Sequence, residues 1–225
     1  MNLVGSEKIL GDGGPFNKTT LTSFLKKDQS ELKKHSMKES YAEAIIPLGD
    51  RPELRNRYSN FQQAVRFGRL LEDLDTMAVH IAYLHNKSQC VNLNGHLVSP
   101  IVIVTALVDR IDVNSKLKID ANKNIKLSGF TSWVGRTSCE ATMKVEQQIS
   151  ENQWQPVLEA KFLMAARDTN NKGSALMNPL DIVTEEDKKI FELGESSLFL
   201  NHLFKIFYFV KYINELFRKQ NTQTE

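Results

Sequence analysis

The sequence has few cysteines and almost no excess of charge of one sign. Its two cysteines, Cys90 and Cys139, are too few for a disulfide framework. It has 29 Lys and Arg residues against 27 Asp and Glu residues, which gives a formal net charge of +2 at pH 7. Because so small a charge exerts no general attraction on nucleic acid, we expect no nucleic-acid partner.

The N-terminal part of the chain also lacks the features of a targeting segment. It has no apolar stretch long enough for a secretory signal. Mitochondrial presequences are rich in arginine and poor in acid, but the first arginine here is Arg51, and several acidic residues precede it. Residues 1–40 are polar and rich in lysine, and we expect them to form a tail.

The segment 67–85 has the clearest helical period in the sequence. At 100° per residue its apolar side chains gather on one broad face: Phe67, Leu70, Leu71, Leu74, Met77, Ala78, Ile81, Ala82 and Leu84. The opposite face carries Glu72, Asp73, Thr76 and His80. The pattern predicts one long amphipathic helix.

After Pro100 the period changes from that of a helix to that of a strand. The segment 101–113 is mostly apolar and β-branched, which predicts a central strand buried on both faces. Residues 125–134 continue the β pattern, and residues 139–146 and 158–167 alternate apolar with polar side chains. One helix followed by four strands predicts an α+β domain at 41–180, with an antiparallel sheet around a single buried helix.

Residues 181–225 form a C-terminal extension of different composition. Thr184 and the acidic residues after it predict the start of a short helix. The segment 198–219 is apolar except for a narrow polar stripe, and it falls short of the ~20 clean apolar residues of a membrane-spanning helix. We expect an amphipathic helix that packs on the domain, contacts a membrane surface or has no evolved role.

Four segments of the chain have distinctive local sequences: VRFGRLLEDLDTMAVHIAYLHN at 65–86, SPIVIVTALVDRIDV at 99–113, SGFTSWVGRTSCEATMKVE at 128–146 and FLMAARDTNNKGSALMNPL at 162–180. They resemble acyl-CoA thioesterases of the hot-dog superfamily, and most closely the mitochondrial subgroup that carries two hot-dog units in one polypeptide. The resemblance runs from about residue 37 to residue 180. It implies the hot-dog fold, in which a curved antiparallel sheet wraps around a long central helix.

The resemblance also implies a function, which is hydrolysis of fatty acyl-CoA to free fatty acid and coenzyme A without a cofactor. It implies a location in the mitochondrial matrix and a second hot-dog domain as partner, in cis or in trans, with homo-oligomers expected. The similarity stops after Leu193. The alternative is therefore a truncated, inactive hot-dog module that binds acyl-CoA or dimerises. A hydratase is a weaker third hypothesis. Such enzymes carry a catalytic histidine motif at the start of the central helix, and Arg66 and Phe67 stand there instead.

Asp75 is the candidate catalytic residue. By angular count it lies between Leu71 and Val79, within the apolar face of the helix. Desolvation there is expected to raise the pKa of the carboxyl and to make it a general base toward water, or else a nucleophile that forms an anhydride. The resemblance gives the catalytic acid the same place, seven residues after Gly68. The alternative is a structural acid bound to a nearby amide.

Two further parts of the site follow from the resemblance. Gly68 and Arg69 open the helix, where backbone amides would polarise the thioester carbonyl. Alternatively, Gly68 only permits close packing. Asn60 stands in the loop where some hot-dog enzymes carry a polar residue that orients water, although Gln62 or Gln63 would also serve. A plain surface asparagine is the other interpretation.

The remaining polar residues predict neither a metal site nor a catalytic triad. The histidines have no set of zinc-ligand spacings, and no Ser-His-Asp order is present. Several basic residues are candidates to meet the phosphates of coenzyme A, although solvated strand ends are the simpler account of them: Arg110, Lys116, Lys118, Lys123, Lys126 and Arg136.

Overall fold

A computed structural model of the chain describes residues 18–93, 95–114 and 118–196. The chain divides into one unit that ends at Val183 and another that begins at Thr184. Within the described part of the first unit, the α-helices are α1 (Lys18–Thr22), α2 (Pro52–Tyr58) and α3 (Phe67–His85). Its strands are β1 (His35–Ser36), β2 (Ala42–Ile46), β3 (Val91–Leu93), β4 (His96–Val98), β5 (Ile101–Val113), β6 (Ile125–Val134), β7 (Ser138–Ser150), β8 (Gln153–Asp168) and β9 (Leu180–Asp181).

The main sheet has five antiparallel strands in the order β2-β6-β7-β8-β5. The strands β5 to β8 follow one another along the chain, as the alternating pattern predicted. Two smaller sheets accompany it, a parallel pair of β1 with β9 and an antiparallel hairpin of β3 with β4. The predicted α+β class, with one long helix against an antiparallel sheet, is confirmed.

The helix α3 packs across the main sheet and contacts β5, β6, β7 and β8. Its predicted bounds agree with the structure at both ends. Leu70, Leu74, Ala78 and Ile81 are completely buried along its inner face. This row recurs at the three- and four-residue spacing of a helix face, which is why the sequence alone located the helix.

Gly129 on β6 marks a close approach between the helix and the sheet. A Cβ atom at this position would lie 2.6 Å from the Thr142 carbonyl oxygen and 2.9 Å from Ile81 Cδ1 of α3. Because backbone cannot move aside cheaply, a side chain is excluded here. The glycine therefore lets the helix lie close to the middle of the sheet.

We expect Leu74→Ala to destabilise the domain by about 2–5 kcal/mol, because it removes buried methyl groups and leaves a cavity between helix and sheet. The free energy of unfolding in urea is the measurement. Leu97→Ala is a matched control, since Leu97 on β4 is 59 % exposed. Equal losses in the two variants would contradict the placement of α3 in the core.

The prediction of a central, doubly buried strand at 101–113 was wrong. The strand β5 lies at the edge of the described sheet, and Val104 and Val108 on it are 40 % and 44 % exposed. Its pairing with β8 is interrupted by two register shifts, after Thr105 and after Val108. An apolar run predicts a buried strand but does not indicate which element covers that strand. The exposed apolar edge was therefore not predictable from the sequence.

Glu140 on β7 also departs from the expected pattern. Its neighbours Cys139 and Ala141 belong to the core, so strand alternation places Glu140 on the opposite face of the sheet. The residue is nevertheless fully buried. Its Oε1 accepts hydrogen bonds from Ser132 Oγ at 2.8 Å and from Lys161 Nζ at 3.0 Å. A buried carboxylate is tolerable because a lysine and a hydroxyl compensate it.

Residues 18–40 were predicted to belong to a polar tail, but several of them are part of the domain, and residues 1–17 of that prediction lie outside the described residues. Leu21 is buried and packs in a small cluster with Val98. The Gln29 side chain donates to the carbonyl oxygens of Gly135 and Met177, both at 2.9 Å. The pairing of β1 with β9 fixes His35 as well. Polar composition misled the prediction, since these contacts are made by polar side chains and backbone.

Two buried histidines hold this N-terminal segment against the end of α3. His35 Nε2 lies 2.9 Å from Ser88 Oγ, and His85 Nε2 lies 2.9 Å from the carbonyl oxygen of Asn178. The two rings meet edge to face with their centroids 5.9 Å apart. Asn178 joins both groups, because its Nδ2 donates to Ser88 Oγ at 2.7 Å. No local pattern of residues indicates this long-range cluster.

The His85 ring should make the domain sensitive to mild acid. Burial lowers its pKa to about 4, against a partly compensating bond to Asn178, and the nearby His35 also lowers it. In the unfolded chain the ring titrates near its ordinary value of about 6.5. The neutral ring therefore contributes fully to stability above about pH 6.5, and the contribution is lost as pH falls toward 4, by about 2–3 kcal/mol in total.

Thermal unfolding midpoints at pH 7, 6 and 5 measure this effect. Glu39 should affect these midpoints little. Its pKa is lowered from 4.5 to about 2, mainly by the hydrogen bond from the Ser36 backbone N–H. Its contribution to stability is therefore lost only below this pH range. In His85→Gln the replacement amide is uncharged throughout, and we expect a shallower decline. Parallel curves for the wild type and this variant would show that another group controls the acid response.

The second unit begins with a capped helix. The Thr184 backbone N–H donates to Asp187 Oδ2 at 2.9 Å, and the Asp187 N–H donates back to Thr184 Oγ1 at 3.0 Å. Residues 185–196 are helical, as the acidic start predicted. The amphipathic helix predicted at 198–219 lies outside the described residues. Among the helices that the structure describes, none has the length and apolarity needed to cross a membrane.

Candidate active site

Asp75 lies on the flank of α3 that faces β5. It is half-buried, and so are Leu71 and Val79 one turn before and after it. Leu71, Asp75 and Val79 therefore form a stripe along the border between the core and the surface, and Asp75 is its one charged residue. The angular count placed Asp75 correctly between these two residues. Asp75 keeps part of its surface exposed, unlike the leucines on the inner face.

Thr105 on β5 holds the Asp75 carboxylate. Its Oγ1 donates to Asp75 Oδ1 at 2.5 Å, and the same hydroxyl lies 3.8 Å from Met164 Sδ. The strand shifts register directly after Thr105. Bulges of this kind often direct a side chain toward a site. One oxygen of Asp75 is thus fixed by a bond that crosses from strand to helix.

Thr105 was not predicted from the sequence as a site residue. The signal was present, since Thr105 is the one hydroxyl within the apolar run 101–108. Its partner is thirty positions earlier in the chain, however, and no local pattern joins the two. Tyr83, two turns after Asp75, makes a second tie between the same elements, because its hydroxyl accepts the Ile103 backbone N–H at 3.1 Å.

The first turn of α3 is open around Gly68. A Cβ atom built on Gly68 meets no described atom within 4 Å, so the alternative that this glycine permits close packing has no support. The Arg69 and Leu70 amides both donate to the Arg66 carbonyl oxygen, at 3.0 and 3.2 Å. The backbone amides of Gly68 and Arg69 were predicted to polarise the thioester carbonyl. The Arg69 amide already has a hydrogen-bond partner within the chain, the Arg66 carbonyl oxygen.

The Arg69 side chain stabilises the outer face of the helix. It pairs with Glu72, and its Nη2 lies 3.2 Å from Asp73 Oδ1. Its guanidinium also stacks 5.4 Å from the centre of the Tyr58 ring. Tyr58 completes the group by donating to Asp73 Oδ2 at 2.6 Å. Burial and this carboxylate raise the pKa of Tyr58. These contacts tie α2 to α3 and place Asp73 in a structural role.

Asn60 organises the loop that leads into α3. Its Oδ1 accepts the backbone N–H groups of Gln62 at 2.9 Å and Ala64 at 3.1 Å, and its own N–H donates to the Ala64 carbonyl oxygen. Gln63 has a positive φ of 58°, as a tight turn requires. The loop presents Phe61 to solvent, 92 % exposed. A role for Asn60 toward water stays a prediction.

The other polar residues predicted from the sequence fall into separate places. His80 is half-buried, His85 is buried and His96 is exposed, and the described ranges contain no group of side chains suited to a metal ion. Arg110 pairs with Asp112 at 2.6 Å, and Lys126 pairs with Glu146 at 2.8 Å. Arg136 is exposed. Lys118 and Lys123 line one cleft, and Lys116 lies outside the described residues.

Comparison with known proteins identifies close relatives of the chain. It is 47% identical over 175 residues to acyl-coenzyme A thioesterase 9, mitochondrial, of Homo sapiens and of Bos taurus, and 42% identical to acyl-coenzyme A thioesterase 10, mitochondrial, of Mus musculus. Each match covers 78% of this chain and 38% of the relative. The chain thus spans about two fifths of the length of these curated relatives. A scan against protein-family models found no match.

Solved structures show the same fold at low sequence identity. An acyl-CoA hydrolase from Staphylococcus aureus, solved with butyryl coenzyme A, is 16% identical with a TM-score of 0.61, and the match covers 77% of this chain and 93% of that one. An acyl-CoA hydrolase from Bacillus cereus is 19% identical with a TM-score of 0.60 and the same coverage. The long helix across an antiparallel sheet is therefore the hot-dog arrangement, and over 175 residues the chain is similar to the mitochondrial acyl-coenzyme A thioesterases 9 and 10.

Proposed function

We propose that this hot-dog unit hydrolyses the thioester of fatty acyl-CoA to a free fatty acid and coenzyme A. The observation that carries the proposal is the Asp75–Thr105 pair, in which a half-buried aspartate between Leu71 and Val79 accepts the Thr105 hydroxyl at 2.5 Å. Curated relatives at 42% to 47% identity are named acyl-coenzyme A thioesterases, which supports the same chemistry. The reaction needs water and a base, and we propose that no cofactor takes part.

In the proposed reaction Asp75 takes a proton from a water molecule. Thr105 occupies Oδ1, so Oδ2 is the atom left to accept that proton. The water oxygen bonds to the thioester carbon, and the negative charge on the carbonyl oxygen is stabilised by first-turn amides near Gly68. The C–S bond then breaks, and the thiolate of coenzyme A leaves and takes up the proton. Direct attack by Asp75, with an anhydride as intermediate, is the other route.

A comparison of spacing supports the choice of residues. Variants of the Staphylococcus aureus hydrolase have been solved with alanine in place of an asparagine, an aspartate and a threonine. There the asparagine precedes the aspartate by fifteen positions, the same spacing that separates Asn60 from Asp75 here. The threonine follows the aspartate by seventeen positions there, whereas Thr105 follows Asp75 by thirty here, so the spacing supports Asn60 and Asp75, and Thr105 rests on its bond to Asp75.

We further propose that the site is completed by a second hot-dog domain, in cis or in trans. The edge strand β5 beside Asp75 has exposed valines, and an uncovered apolar edge is suited to pairing. One of the solved acyl-CoA thioesterases with this fold is a hexamer, which supports a homo-oligomer. The four mammalian relatives are named mitochondrial, and we propose the matrix as the location.

Thiol release from acyl-CoA substrates of short, medium and long chain length tests the proposed function. We expect release above the uncatalysed rate with at least one chain length, measured with a thiol reagent. Calorimetric titration with a non-hydrolysable acyl-CoA analogue accompanies the assay. Binding without release would support the inactive binding module instead, and the absence of both would overturn the proposal.

A further inference from the structure

Resting on the proposed function, we propose that a cleft at the N-terminal end of α3 binds the phosphorylated nucleotide of coenzyme A. The cleft has a volume of about 450 Å³ and is open to solvent. It lies between the Asn60 loop, the segment before β6 and the adjoining ends of β7 and β8. Its lining is polar except for one residue: Gln62, Gln63, Lys118, Asp120, Lys123, Gln147, Gln155 and Val157.

The walls of the cleft are fixed by backbone bonds. The Val65 N–H donates to the Ile119 carbonyl oxygen at 2.9 Å, and the Ala121 N–H donates to the Gln63 carbonyl oxygen at 3.2 Å. Gln147 on β7 clamps Asp120, since its Nε2 donates to the Asp120 carbonyl oxygen at 2.9 Å and its Oε1 accepts the Asp120 N–H at 3.3 Å. The loop and the strand ends thus form a preorganised surface, which lowers the entropic cost of binding.

The charge of the cleft favours an anion. Across 18–93, 95–114 and 118–196, neither Lys118 nor Lys123 forms an ion pair. Lysines on the sheet behave differently, because Lys126, Lys144 and Lys161 each pair with a glutamate. The Asp120 carboxylate accepts both the backbone and the side-chain amide of Asn122. Lys118 Nζ donates to the Gln62 carbonyl oxygen at 3.1 Å, which holds its ammonium at the wall of the cleft. The cleft thus contains two ammonium charges against the single carboxylate of Asp120, beside glutamine amides, and this net positive set of donors is suited to phosphate.

The position of the cleft fits one extended substrate. The loop that forms one wall continues directly into α3, and Gly68 follows five residues after Gln63. From Gly68 to Asp75 the helix rises about 10 Å, at ~1.5 Å per residue. Coenzyme A separates its thioester from its phosphates by the flexible pantetheine arm. Phosphates in the cleft would place that arm along the first two turns of α3, with the thioester at Asp75.

Binding of coenzyme A and of 3′,5′-ADP to the full chain, measured by calorimetry, tests the inference. We expect the double variant Lys118→Glu/Lys123→Glu to raise the Kd of both ligands by at least about tenfold, since two attractive charges become repulsive. The matched control is Lys172→Glu, which changes an exposed lysine in the turn after β8, at the opposite end of that strand from the cleft, and it should leave both Kd values unchanged. Pantetheine, which lacks the nucleotide, should bind the double variant and the wild type equally.

Equal Kd values for 3′,5′-ADP in the wild type and the double variant would overturn the inference. Circular dichroism and the thermal midpoint show whether the double variant folds, and if it does not, the single variant Lys123→Glu replaces it. The titration does not depend on turnover. Nucleotide binding without hydrolysis would therefore support the nucleotide site in the cleft and contradict the proposed activity. Hydrolysis with an unchanged KM in the double variant would support the activity and contradict the nucleotide site.

Discussion

Asp75→Asn is expected to lower the rate of thioester hydrolysis by about 10²–10⁴-fold, the usual contribution of a general base. The amide has nearly the shape of the carboxylate, and its Oδ1 still accepts the Thr105 hydroxyl, so the domain should stay folded. It cannot take a proton from water, and it is a poor nucleophile. The loss should therefore appear in kcat, with KM little changed.

Thiol release by the purified variant is the measurement, and thermal unfolding serves as the check on folding. Glu72→Gln is the matched control, because Glu72 lies on the same helix with its side chain 67% exposed. It should retain the activity of the wild type. Turnover by Asp75→Asn equal to that of Glu72→Gln would remove Asp75 from the mechanism.

Lys161→Met is expected to cost about 3 kcal/mol of stability, because it leaves the buried Glu140 carboxylate without its compensating charge. The methionine fills much of the space of the lysine stem, so lost packing contributes little. Ser132 would remain as the hydroxyl donor to Glu140 Oε1 at 2.8 Å. A neutral hydroxyl does not offset the cost of a desolvated charge.

A double-mutant cycle in urea isolates the interaction of this pair. The Lys161 side chain is 19% exposed, so water can solvate its ammonium group when Glu140→Gln removes the carboxylate. This variant should therefore lose less stability than Lys161→Met. The double variant contains neither charge, and we expect it to recover part of the stability that Lys161→Met loses. Strictly additive losses would contradict the view that Lys161 compensates a buried charge.

The elements with a strong local period were predictable from the sequence. The bounds of α3 were correct because its inner leucines recur without interruption at helical spacing. The strands β7 and β8 followed from strict alternation in the same way. Position within the sheet was not predictable for β5, because its apolar run indicates hydrophobic surroundings and does not distinguish a covered central strand from an open edge.

The candidate site was only partly predictable. Helical geometry placed Asp75 on the border of the apolar face, and the resemblance alone indicated Asn60, Gly68 and Arg69. The bond from Thr105 joins two elements far apart in sequence, and periodicity carries no information about such pairs. The same reason applies to the buried histidines His35 and His85, whose contact depends on the docking of the N-terminal segment.

The most direct test of the central claim is hydrolysis of a fatty acyl-CoA in water labelled with oxygen-18, followed by mass analysis of the products. The proposed reaction predicts free coenzyme A and fatty acid in equal amounts, with label in the carboxylate of the released acid. It also predicts that Asp75→Asn forms little of either product. Acyl-CoA recovered intact with the folded wild-type chain and its partner domain, or release that does not depend on Asp75, would contradict the account.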